Sequence, residues 1–143
     1  MKGIKLDIID KSNYFRGILL LIRKDFHISS PERDFVFRIG KTLGFDREFI
    51  DDSIKDLMYN EYIEDNPPKF SDPEIAKSFI IDGLKVVSTD TVVDPNEISF
   101  LNKTAENNSL PDIWFKETLK SDYRIPYNKT GMENVNFEVV NYI

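Results

Sequence analysis

A polar skeleton occurs twice in this chain: Asp25-Phe-His-Ile-Ser-Ser-Pro-Glu32 returns as Asp90-Thr-Val-Val-Asp-Pro-Asn-Glu97. Sliding the chain by 65 positions (90 − 25) also sets Leu19 on Leu84, Ile28 on Val93, Phe35 on Phe100 and Phe49-Ile50 on Trp114-Phe115. Each copy has an apolar stretch, an Asp, a short loop, a helix start and a Glu seven places beyond the Asp. A single copy would leave one apolar face in water. Two copies packed together about an approximate twofold bury both, so the echo predicts two equivalent helical units sharing one core.

Local signals place six helices. Tyr14, Phe15, Ile18, Leu19, Leu21 and Ile22 recur at helical spacing and predict a helix over about 11–25. Ser29-Ser-Pro-Glu32 has the form of a capping box opening a second helix to about 43, with Gly44 suited to a left-handed terminating position. Asp46 caps a third, to about 60, carrying Phe49, Ile50, Ile54, Leu57 and Met58. Glu64-Asp-Asn-Pro-Pro-Lys interrupts helix and divides the halves. Ser71-Asp-Pro-Glu74 opens a fourth helix to about Asp90, Asp94-Pro-Asn-Glu97 a fifth to about 107, and a short sixth covers 111–120. The expectation is an all-α bundle over residues 1–120, with units at about 11–60 and 72–120. Beyond Ser121, the alternation Val135-Asn-Phe137-Glu-Val139 predicts an extended tail packed on the helices, with Trp114, Tyr123, Tyr127 and Phe137 as its aromatic anchors.

Composition removes several function classes. The 143 residues contain no Cys and a single His, which excludes disulfides, thiol nucleophiles and cysteine- or histidine-rich metal centres. A net charge of −6 repels phosphate backbones, so nucleic acid is not an expected partner. The longest apolar run, Ile18 to Ile22, is too short to span a bilayer, and the N-terminal segment lacks the apolar region of a signal peptide; a cytoplasmic protein is expected. Gly40-Lys41-Thr42 lacks the upstream Gly of a phosphate-binding loop and reads as helix interior. No Gly-x-Ser-x-Gly is present, and His27 has no evident Ser to activate, so no enzyme is expected.

Asp25, Glu32, Asp90 and Glu97 are the repeated carboxylates, and they admit two readings. As oxygen ligands beside helix-turn-helix loops they suit a hard divalent cation, Ca²⁺ or Mg²⁺. As cap and turn residues they are already accounted for, each Glu closing a capping box and each Asp receiving the chain as it leaves a helix. Asp51, Asp52, Asp56, Glu61, Glu64 and Asp65 give the third helix and its exit an acidic face, by default a solvated surface, with Asp52, Asp56 and Glu61 as the candidate surface for a basic protein partner.

The run Ile22-Arg-Lys-Asp25-Phe-His-Ile-Ser29-Ser-Pro-Glu32 resembles the loop motif of the tellurite-resistance protein B (TerB-like) domains, in which a long apolar helix ends in Asp and a capped helix carries Glu seven residues later. Where members usually have Asp-Gly, this chain has Asp25-Phe26 and Asp90-Thr91. The resemblance covers about residues 11–118. It implies an all-helical domain with internal repetition, in a bacterial cytoplasmic protein of tellurite or stress tolerance. It further implies protein partners, some of them membrane-associated, and no established catalytic activity.

Overall fold

Five of the six α-helices begin where a short polar side chain takes up an orphan amide; the sixth starts after Pro111 without one. The computed structural model describes residues 4–25, 28–60, 65–88, 94–121 and 136–143. Within them lie α1 (Ile8–Ile22), α2 (Ser30–Thr42), α3 (Arg47–Tyr59), α4 (Pro73–Val87), α5 (Pro95–Asn107) and α6 (Asp112–Lys120). A 3-10 turn, Arg23–Asp25, prolongs α1, and a 3-10 helix, Glu138–Tyr142, closes the chain. The all-α architecture is as the sequence predicts, and no strand occurs among the described residues. Caps come from Asp7, Ser29, Asp46, Asp72 and Asp94, with Pro in the first turn of α2, α4 and α5.

The echo is written in hydrogen bonds as well as in residue types. Ser29 N–H donates to Glu32 Oε1 at 3.0 Å, and Asp94 N–H donates to Glu97 Oε1 at 3.0 Å. At the far end of α2, Gly44 N–H reaches Lys41 O and Phe45 N–H reaches Gly40 O, both at 3.0 Å. Sixty-five positions on, Ser109 N–H reaches Glu106 O at 3.0 Å and Leu110 N–H reaches Ala105 O at 2.9 Å. These are paired Schellman ends, and their pivots, Gly44 (φ 97°) and Ser109 (φ 57°), have the only positive φ values among the described residues. Ser53 Oγ to Phe49 O and Thr118 Oγ1 to Trp114 O repeat the correspondence in α3 and α6.

The core forms where α1 and α4 meet. Each packs on its own successor, α2 or α5, and on the other unit's, so that α1 touches α5 and α4 touches α2. The approach is close because Gly17 presents no Cβ to Phe79 and Pro68, and Gly83 none to Leu21. Tyr14, Phe70 and Phe79 form an aromatic cluster at this crossing, Tyr14 and Phe79 edge to face with centroids 5.4 Å apart.

Polar contacts from both units fasten the segment between them. The buried Asp10 carboxylate accepts from Ser71 N–H at 3.0 Å and from Ser71 Oγ at 2.5 Å. Buried Asn108 accepts from Phe70 N–H and donates to Pro68 O, each at 2.9 Å. The Pro-rich break is therefore a fixed strap across one core.

The described end of the tail, residues 136–143, differs in conformation from the sequence expectation. Phe137 is extended, but the chain turns into 3-10 helix at Glu138 and lies against α4 and α2. Alternation nevertheless holds at the point of contact: Phe137 and Val139 are buried, and Phe137 meets Phe35 edge to face at 5.5 Å. Among the described residues the Trp114 ring is met by the Lys77 ammonium, 5.6 Å from its centroid; Tyr123 and Tyr127 lie outside the described residues.

Candidate functional site

An apolar concavity lies between α1 and α3, with a volume of about 330 Å³. Its floor is Phe15, Leu19 and Leu20 of α1 with Leu57 of α3, and its wall is Phe45 and Phe49. Phe15, Phe45 and Phe49 stack as a tilted aromatic trio with centroids 4.9 to 6.1 Å apart. Local sequence sets this geometry. The Schellman end after α2 throws Phe45 back over α1, and the Asp46 cap, accepting from Phe49 N–H at 2.8 Å, starts α3 at the angle that brings Phe49 alongside. Phe49 remains 48% exposed, although the sequence grouped it with the apolar residues of α3. Met58, grouped with it, is also exposed, while Ile50, Ile54 and Leu57 are buried.

The corresponding place in the second unit is covered. Ser12 lines the groove beside Phe49, and the residues 65 positions on are Lys77 and Trp114. There the lysine lies over the ring as a cation-π contact. At the two positions 65 residues apart, Phe49 thus stands open on a groove while Trp114 lies under a lysine.

Two charged residues line the open groove, Arg16 from α1 and Asp56 from α3. Asp52 and Asp56 sit one turn apart on the exposed face of α3, Asp56 lining the groove itself. Asp51 is engaged by Arg33 at 3.7 Å, and Arg16, on the α1 side, donates to Asn66 O at 3.2 Å. Glu61 lies outside the described residues.

No protein family, curated protein or solved structure matches this chain.

The repeated carboxylates occupy a different environment. Glu32 and Glu97 have no exposed surface, and each gives an oxygen to the amide that opens its own helix. Asp25 ends the 3-10 turn after α1; its side chain, Asp90 and His27 lie outside the described residues. Among the described residues no three Asp, Glu or His side chains gather as ligands for a metal ion.

Two buried carboxylates, Asp10 and Asp82, were not apparent in the sequence, and the second is the more deeply buried. Asp82, within α4 and wholly buried, accepts from Tyr14 Oη at 2.6 Å, Glu138 N–H at 2.6 Å and Val139 N–H at 3.0 Å. It pins the C-terminal 3-10 helix to the α1/α4 crossing. Burial pushes its carboxyl up to about 7, against the opposing pull of the Tyr14 hydroxyl and the two tail amides. Burial and the neighbouring Asp82 likewise hold the Tyr14 phenol well above its ordinary value. No helix among the described residues is long and apolar enough to cross a membrane.

Proposed function

We propose that this chain is a non-enzymatic interaction domain of the TerB-like kind, whose α1/α3 groove receives an amphipathic segment of a protein partner. The observation that carries the reading is the asymmetry between units: an aromatic groove stands open at Phe49, while its counterpart at Trp114 lies beneath Lys77. A helix in a groove needs a few apolar anchors and a shaped floor, and Phe15, Leu19, Phe45 and Phe49 supply one. Asp52 and Asp56, on a molecule of net charge −6, favour basic residues flanking those anchors and speed their encounter. The cytoplasmic setting and the link to tellurite or stress tolerance rest on the resemblance alone.

Selection of a displayed random peptide library on the full chain tests the reading, with Phe49→Glu as the counter-target. The expected winners carry apolar residues at helical spacing with Lys or Arg beside them, and lose binding to Phe49→Glu. Peptides that bind both proteins equally would refute the groove.

A divalent-cation sensor is the second reading, favoured by the full burial of Glu32 and Glu97 at equivalent positions. It requires millimolar Ca²⁺, Mg²⁺ or Mn²⁺ to raise the melting temperature by several degrees, and Asp25→Asn with Asp90→Asn to abolish the rise.

A further inference from the structure

We infer a second site, independent of the groove: a binding pocket for a small phosphate monoester where the end of α1 faces the start of α5. The concavity there has a volume of about 360 Å³. Arg23 and Lys24 enter it from the 3-10 turn after α1, and Lys103 from α5. Among the described residues lining it, Asp65 is the one acid against the three cations Arg23, Lys24 and Lys103, on a protein whose total charge is −6. That local reversal of sign is what a dianion requires.

The polar groups that α5 contributes are not committed to other groups of the pocket. Asn96, Ser99 and Lys103 follow each other at spacings of three and four on α5, forming one stripe that lines the pocket. Among the described residues these three side chains make no hydrogen bond or ion pair, leaving an amide, a hydroxyl and an ammonium as uncommitted donors. The other two cations are held in place. Arg23 donates to Asn60 O at 3.2 Å, and the Lys24 ammonium pairs with Asp65 and lies 4.9 Å from the Phe100 centroid. Asp65 is 53% exposed against 18% for Lys24, so the acid is the partner that a stronger anion can displace. Beneath the charges, Leu20, Pro67 and Phe100 make an apolar floor that suits the organic part of an ester over a bare ion.

The test uses the full chain at low salt, titrated by calorimetry and amide NMR with inorganic phosphate, a hexose 6-phosphate and adenosine monophosphate. Saturable binding that shifts the amides of Asn96, Ser99 and Lys103 is expected. Lys103→Glu, at an exposed position, weakens it at least about tenfold, whereas Lys103→Arg stays within about threefold. Asp65→Asn releases Lys24 and tightens binding several-fold, a gain that damage to the fold cannot produce. Esters binding more tightly than inorganic phosphate identify an organic phosphate as the source, and equal affinities identify the free ion. Absence of binding by all three at millimolar concentration overturns the proposal. So does Lys103→Glu binding as wild type, or a phosphoserine peptide outcompeting every small ester.

Discussion

Replacing Asp82 with Asn should flatten part of the pH dependence of stability, with a sign opposite to that of an ordinary salt-bridged carboxylate. In the folded protein the Asp82 carboxyl is raised to about 7, because burial opposes its charge more strongly than Tyr14 and the tail amides support it. In the unfolded chain it titrates near the usual value for Asp, roughly 4. Between those values the native state holds a proton that the unfolded state has lost. Stability from this group is therefore fully present below the unfolded value and is lost as pH rises towards about 7. Each pH step of one is worth about 1.4 kcal/mol in that window, so from about pH 5 to about pH 8 the wild type should lose about 3 kcal/mol relative to the variant. Asn matches the neutral acid in shape, and all other titrating groups are shared and cancel in the difference. Urea unfolding of both proteins, followed by Trp114 fluorescence and far-ultraviolet dichroism across this range, gives the quantity directly. A difference that does not vary with pH would refute the reasoning. One in which wild type gains on the variant as pH rises would show that the three donors outweigh burial.

Gly17→Ala should destabilise the fold by about 1–3 kcal/mol despite the better helix propensity of Ala, since the new Cβ would lie 2.7 Å from the Phe79 ring and 2.8 Å from Pro68; denaturant midpoints check it. Phe137→Ala, which removes the edge-to-face partner of Phe35, should cost about 3–5 kcal/mol, or less if the tail simply detaches. Limited proteolysis distinguishes these, because a detached tail is cut at Lys120, Arg124 or Lys129 while the helical body survives. Glu97→Ala should cost about 1–3 kcal/mol, the loss of a cap at a fully buried position, and a change of a few tenths in thermal unfolding would contradict the capping role.

The helices were legible because their signals are local. Caps, first-turn prolines and apolar spacing placed α2 to α6 within about three residues of their ends, and the second copy reinforced the first. The start of α1 was read about three residues late because its opening turn offers no apolar stripe: Ile8 and Ile9 are 79% and 67% exposed, while Asp10 is buried. Buried polar groups were illegible for another reason. Asp82 finds Tyr14 68 residues away and Asp10 finds Ser71 61 residues away, and no periodicity encodes such pairs. Over residues 136–143 the expected inward positions Phe137 and Val139 are buried but the backbone is a 3-10 turn, since alternating burial suits such a turn on α4 as well as a strand; Tyr123, Tyr127 and Val135 lie outside the described residues. The groove was half visible. The acidic residues Asp52 and Asp56 of α3 stood out in the sequence, but the exposure of Phe49 depends on how far α3 leans from α1, a tertiary quantity.

The docking claim is tested most directly by two-dimensional NMR of the isotopically labelled full chain, titrated with the best peptide from the library selection. The account predicts shifts confined to residues 12–20 of α1 and 45–57 around α3, strongest at Phe45 and Phe49. The Trp114 indole, beneath Lys77 in the equivalent position, should stay unmoved. Shifts centred on α5 and α6, or a moving Trp114 signal with Phe49 silent, would contradict it.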